Sequence, residues 1–339
     1  MEIVKHRSLL IWLLSGCFLI FLMVIIGGIT RLTHSGLSIV EWKFAGSLPP
    51  MNEMDWQILF EKYQHSPEYK LINSDFTIGD FKNIFWLEYI HRMIGRLTGL
   101  VFILPLTWFF IRRKISKEFF PKIAFLLFLG FCQGLLGWAM VKSGLNKVPH
   151  VSHYLLAAHL SLAFTTFGFT LWFALGLAFP MKLKGAGKNF RTLLILTLIL
   201  VSTQIIYGAF VAGLHAGLLF PTFPKMGENW IAPEVYFMHP MWKNIFENGA
   251  GVQFVHRILA FTIVIMTIVI FIKSKNLELS GTSRKIIFTL GVAVFLQFCL
   301  GLLTLLLHVP VLMASLHQIG AFILFSVTIL VLFRFRQLH

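Results

Sequence analysis

The sequence predicts an all-α integral membrane protein. Eight transmembrane helices form two tandem four-helix bundles, related by a pseudo-twofold axis along the membrane normal. Three observations predict this class. The first is composition: 57% of the 339 residues are hydrophobic and 13% are charged, whereas soluble domains run near a quarter charged. The second is a series of apolar runs, each long enough to cross a bilayer as helix, which takes about 20 residues. The third is that motifs of the first half recur in the second half in the same order. Disorder and collagen are excluded by the apolar content, and a disulfide scaffold by only three cysteines.

The eight runs cover 8–29, 84–111, 121–141, 152–179, 192–212, 251–273, 286–308 and 311–335. None alternates as barrel strands would, so helices must satisfy the backbone in lipid. The first run is too long, and too weakly followed by a cleavage site, for a removed signal peptide. Cys17, Cys132 and Cys299 all sit inside runs and read as small buried apolar residues.

Charge orients the chain. One side gathers Lys5, Arg7, Arg112, Arg113, Lys114, Lys117, Lys122, Lys182, Lys184, Lys188, Arg191, Lys273, Lys275, Arg284, Lys285, Arg334 and Arg336. These 17 cations face three acids, Glu2, Glu118 and Glu278. The other side carries the remaining 12 cations and 11 acids. Basic short loops stay cytoplasmic, so both termini are expected inside and segments 30–83 and 213–250 outside. The net charge of +15 is then a topology signal and an attraction to anionic lipid. No compact basic domain supports nucleic-acid binding.

The repeat sets the domain expectation. Gly27-Gly28 through Leu37 aligns with Gly208-Ala209 through Leu218 at an offset of 181. Tyr89-Ile90-His91-Arg92 aligns with Phe254-Val255-His256-Arg257 at 165, and His159 matches His317 at 158. Phe131-Cys132-Gln133-Gly134-Leu135-Leu136 aligns with Phe298-Cys299-Leu300-Gly301-Leu302-Leu303 at 167. The halves, 1–180 and 181–339, thus read as parallel repeats, with one similar site in each.

Ionisable residues within spans are rare and mark function. His91, His159, His256 and His317 each fall 6–8 residues into a run, roughly 10 Å deep at helical rise. Four imidazoles at one depth, two per bundle, suit axial ligation of heme iron between facing helices. Arg92, Arg96 and Arg257 adjoin them and suit either heme propionates or snorkelling to lipid phosphates. Glu88 lies one turn before His91, whereas the matching position in the second half is Gln253. That asymmetry suits one reacting site and one serving site; equally, Glu88 suits a helix N-terminus or an i+4 pair with Arg92. His34 and His215 correspond across the repeat but read as loop-edge caps. His65, His150, His153, His239 and His308 read as loop or interface residues, and His6 and His339 as terminal ones. Gly134, Gly137 and Gly301 read as close helix-packing positions.

These motifs resemble the heme A synthase family. The resemblance is carried by Gly28 through Ser38, Leu48-Pro49-Pro50, Tyr63-Gln64, Pro67-Glu68-Tyr69, Phe81 through Trp86, Glu88 through Arg92, and Gly95-Arg96. In the second half Gly208 through Gly213, Thr222 through Met226 and Val252 through Arg257 extend it over nearly the whole chain. It is similar to the proteobacterial and mitochondrial branch, because the cysteine pair of the Bacillus-like outer loop is missing. The resemblance implies oxidation of the C8 methyl of heme O to a formyl group, through successive hydroxylations and a gem-diol that loses water. It implies that His91 and His159 hold the substrate heme, that His256 and His317 hold a heme b cofactor, and that Glu88 is the catalytic carboxylate. It also implies a heme O synthase and terminal oxidase assembly factors as partners and leaves a homo-oligomer open. The lack of an evident Arg/Ser-rich presequence points to a bacterial inner membrane.

The residues alone first suggest a different enzyme, a di-heme membrane cytochrome exchanging electrons with quinol. Such a protein should place its hemes at two depths, and here all four histidines fall on one side. A non-catalytic heme carrier should have two equivalent sites, against which the Glu88 and Gln253 difference argues. An ordinary transporter with parallel repeats predicts no heme at all.

Overall fold

The computed structural model describes residues 2–41, 46, 48–145, 149–179 and 187–336, with side chains from Arg7 onward. Lys182, Lys184 and His339 lie outside the described residues, as do the side chains of Glu2, Lys5 and His6. The described residues are helical, with a single isolated bridge between Met226 and Asn229. Ten α-helices run in the order α1 (Glu2–Leu32), α2 (Glu53–Gln64), α3 (Pro67–Leu71), α4 (Ile78–Ile111), α5 (Phe120–Gly144), α6 (His153–Ala178), α7 (Lys188–Gly213), α8 (Gly249–Lys275), α9 (Gly281–Leu306) and α10 (Val311–Arg334). Eight of them, all but α2 and α3, are long and apolar enough to cross a membrane. The chain is a multi-pass membrane protein.

The apolar runs find these eight helices and miss their polar ends. The largest difference is α4, which begins at Ile78 rather than near residue 84. Thr77 and Asp80 form a reciprocal capping box there, which satisfies two otherwise orphaned N–H groups. The apolar-run criterion also passes over α2 and α3, which are short and polar. Asn52 caps α2, and Ser66 followed by Pro67 caps α3, the residue types that start helices.

The chain divides into two compact units, Met1–Thr170 and Leu171–His339. In the first, α1 packs along α4. Pro105 lies inside α4 and has no N–H for the carbonyl of Val101, four residues back. The indole Nε1 of Trp12 donates to that carbonyl at 3.0 Å, while its ring lies against Phe102 and Phe109. In lipid no water replaces a missing donor. Trp12→Phe is therefore expected to cost about 1–3 kcal/mol, read as a lower melting temperature in detergent. A melt unchanged from wild type would show that the carbonyl finds another donor.

The segment between α1 and α4 has its own core. Trp56, Tyr63, Phe81 and Phe85 are buried together, with Tyr63 stacked on Phe81 at 5.1 Å between ring centroids. Glu68 is buried beneath them and accepts from the Tyr63 hydroxyl at 3.1 Å. The same hydroxyl accepts from Asn73 Nδ2 at 2.8 Å. Burial first, and then the charge of Glu88, raise the Glu68 carboxyl from 4.5 to about 7, against the Tyr63 bond that lowers it. The folded state thus holds this proton more tightly than the unfolded chain, so stability falls between those two pH values and levels above the higher one. Glu68→Gln is expected to remove that slope and to stabilise the protein at about pH 8 by up to about 3 kcal/mol. Melting curves at about pH 5 and about pH 8 check this; a slope retained in the variant would clear Glu68 of it.

In the second unit α7 packs on α8 and α10, and α9 packs on α8 and α10, which closes a four-helix ring. The segment between α7 and α8 carries three short 3-10 helices. It folds around buried Met226, Ala232, Val235 and Ala250. Asn244 ties this segment by bonding the N–H of Met238 at 2.9 Å and its carbonyl at 2.8 Å. Gly251 packs against the Asn244 backbone so closely that no side chain could replace its hydrogen.

Candidate functional site

In the first unit His91 comes from α4 and His159 from α6, near enough to act on each other electrostatically. In the second, His256 from α8 and His317 from α10 stand in the same relation. The structure therefore brings the four predicted histidines together as two pairs. His159, His256 and His317 fall six or seven residues into their helices, as the sequence suggests. His91 falls thirteen residues into α4, because that helix starts early.

Each imidazole faces a glycine. A Cβ on Gly27 would stand 3.1 Å from His91 Nε2, and one on Gly137 would stand 3.0 Å from His159 Cε1. On Gly208 it would meet His256 Cε1 at 3.5 Å, and on Gly301 it would meet His317 Cε1 at 2.8 Å. Gly137 and Gly301 thus admit imidazoles rather than helix backbones. Gly134 faces open space, so the close-packing expectation is corrected there.

Three of the rings also meet a glutamine that the sequence reading passes over. Gln133 Nε2 lies 3.4 Å from His159 Nε2, and Gln204 Nε2 lies 3.3 Å from His256 Nε2. Gln297 Nε2 lies 3.1 Å from His317 Nδ1 and donates to the His317 carbonyl at 3.0 Å. In each helix the glutamine precedes the histidine-facing glycine by four residues, one turn, so both point the same way. This pairs Gln133 and Gly137 with Gln297 and Gly301, an offset of 164. The match of Phe131-Cys132 to Phe298-Cys299 at 167 is one turn out of register with the geometry.

Glu88 is buried and fully engaged. Its Oε2 accepts from the Ser38 hydroxyl at 2.7 Å and the Ile39 N–H at 2.8 Å. Its Oε1 accepts from Arg92 Nε at 2.9 Å and from Arg92 Nη2. The i+4 pair anticipated as an alternative does form. Gln253, also buried, reverses the polarity: its Nε2 donates to the carbonyls of Ala216 at 2.9 Å and Phe220 at 3.4 Å. The two loops are built to match, one presenting donors to a carboxylate and the other acceptors to an amide.

The arginines clamp the same loops. Arg92 donates to the carbonyls of Ile39 at 2.9 Å and Glu41 at 3.2 Å. Arg257 donates to those of Phe220 at 2.8 Å and Lys225 at 3.1 Å. Arg96 instead lies against Gly46 and the Met93 sulfur. His34 and His215 adopt matching left-handed backbones, φ 51° and 52°, just past α1 and α7. Both therefore terminate helices, as caps should. Burial, then Arg31 and His150, holds the His34 imidazole below its ordinary pKa. Among the described residues no group of three or more His, Cys, Asp or Glu could hold a bare metal ion.

The fold and the site define a multi-pass helical membrane protein with a pair of histidines in each of two units. Among the described residues, a carboxylate, Glu88, lies one turn from a histidine of the first pair, and an amide, Gln253, holds the matching place in the second. The chain belongs to the COX15-CtaA family of cytochrome oxidase assembly proteins, whose family model matches residues 10–329. It is 46% identical over 338 residues to the heme A synthase of Flavobacterium psychrophilum, covering 98% of this chain and 99% of that one. It is 42% identical to the heme A synthase of Nitrosospira multiformis, over 95% of this chain and 91% of that one. The heme A synthase of the Wolbachia from Brugia malayi is 44% identical, over 96% of each chain.

Proposed function

We propose that this protein is a heme A synthase, which oxidises the C8 methyl of heme O to a formyl group. The observation that carries this reading is the carboxylate Glu88 beside one histidine pair, with an amide, Gln253, beside the other. Two equivalent binding sites would not need the difference.

The residues fit a heme in each unit. In the second unit the histidines stand on α8 and α10, which face each other across the four-helix ring, and in both units each imidazole edge meets a glycine. Nδ1 of His159 and of His256 is buried with no partner among the described residues. On this reading His91 and His159 hold the iron of the substrate, heme O. His256 and His317 hold heme b, which supplies one-electron redox chemistry when bound. A carboxylate has about four lone-pair sites, and Glu88 already accepts four bonds. Held by these four donors, Glu88 is on this reading a carboxylate fixed in place, which favours positive charge developing at the oxidised methyl. Arg92 holds that charge in place and ties it to the 38–41 segment. Arg257 clamps the corresponding segment of the second unit. Arg92, Arg96 and Arg257 all adjoin the histidines and are the propionate candidates on this reading.

The charge asymmetry supports both termini on the cytoplasmic side and the hemes toward the outer side; the membrane is read as a bacterial inner membrane. A heme O synthase would supply the substrate, and terminal oxidase assembly would take the product. Co-expression with heme O synthase, followed by extraction and mass analysis of the hemes, tests the reading. Heme A should accumulate; heme O alone, with folded protein present, would reject it.

A further inference from the structure

We propose that Gln133, Gln204 and Gln297 are positioning residues for the histidine ligands, and that their uneven distribution makes His91 the releasable one. The proposal rests on the ligand assignment above and goes beyond it.

The second unit holds both of its rings. Gln204 meets His256 and Gln297 meets His317. The first unit holds only one, through Gln133 and His159. At the position that matches Gln204, α1 carries Met23, four residues before Gly27. Among the described residues no hydrogen bond reaches the His91 ring. The four sites otherwise share one plan, an imidazole against a glycine one turn beyond this position.

Each glutamine also makes only part of its bonds. The Oε1 atoms of Gln133, Gln204 and Gln297 are all buried with no partner among the described residues. Such orphaned acceptors are costly; a rotation of the terminal amide lets Gln133 and Gln204 accept from a ring N–H, whereas Gln297 is held in place by its bond to the His317 carbonyl. A ring nitrogen engaged in this way fixes the rotation of the imidazole and leaves the opposite nitrogen for iron. Partners of this kind are worth about 10- to 100-fold in metal affinity. A cofactor that stays bound gains from two held ligands. A substrate that must leave as product gains from one held ligand and one free to swing.

The test uses the purified full-length protein with its co-purified heme, and transfer to excess apomyoglobin as the readout. Gln204→Leu or Gln297→Leu should speed heme b transfer by about tenfold or more. Gln204→Glu, which keeps an acceptor, should restore slow transfer and lower the reduction potential of the iron. In a His256→Ala background, where only the first unit can hold heme, adding Met23→Gln should raise the heme-to-protein ratio and slow transfer. Wild-type transfer rates in both leucine variants would overturn the proposal. So would a Met23→Gln protein that retains no more heme than its parent. Retention of full heme by His256→Ala would instead overturn the ligand assignment itself, so the two failures are distinct.

Discussion

If heme b is bound in the second unit as proposed, alanine at His256 or at His317 is expected to leave the purified protein without that low-spin heme. On the proposed assignment each histidine is one of two axial ligands in the second unit, so losing either removes one axial bond and the spectrum of paired imidazole ligation. The loss should be near complete in each single variant and no deeper in the double, because residues that act as a unit are not additive. Absorbance of the reduced protein and pyridine extraction of total heme measure it. His215 supplies the control: it lies in the same unit but ends α7 in a left-handed turn, and asparagine tolerates that conformation. His215→Asn should keep its heme. Full heme content in both alanine variants would sink the assignment.

The pairing of the four histidines was legible because of the duplication. One imidazole in an apolar run has no expected partner, but four in corresponding places do. The spans were legible because crossing lipid needs length and apolarity, which composition records directly. What composition cannot record is how polar side chains share bonds. Gln204 reads as a blemish in an apolar run, and only the fold shows its amide against His256. A glutamine one turn before a glycine, repeated in α5, α7 and α9, was the available signal. The repeated Phe-Cys pair drew the register one turn away from it. Spacing places the arginines beside the histidines but cannot see the loop carbonyls that Arg92 and Arg257 also reach. Thr77, Asn52 and Ser66 show the opposite case: short-range caps are local chemistry, and they mark the starts of α4, α2 and α3 without any knowledge of the fold.

Glu88→Gln is expected to keep heme b in the second unit and to lower heme A yield on the order of 100-fold, the scale for removing one preorganised electrostatic contact. The substitution preserves shape almost atom for atom, so the argument turns on charge and bond polarity alone. Glu88 accepts from Ser38, Ile39 and twice from Arg92. An amide offers one accepting oxygen and one donating nitrogen. If the oxygen faces Arg92, the nitrogen confronts the Ser38 hydroxyl and the Ile39 N–H; if it turns, the nitrogen confronts the guanidinium. Either way a buried donor loses its acceptor, and the Arg92 charge loses its partner, which costs more than the pair contributes. Gln253 shows what an amide needs at this place, two carbonyls in front of its nitrogen, and the 38–39 segment does not provide them. The same logic predicts that Gln253→Glu gains no activity, since its carboxylate would face the carbonyls of Ala216 and Phe220. Heme extraction after co-expression with heme O synthase reads the yield, and the heme b spectrum of the same sample shows whether the second unit is intact. A normal yield of heme A from Glu88→Gln would reduce Glu88 to the loop anchor its hydrogen bonds already make it. A lost yield with an intact spectrum would place the defect in the first unit, in the charge of Glu88 or in the loop bonds that it makes.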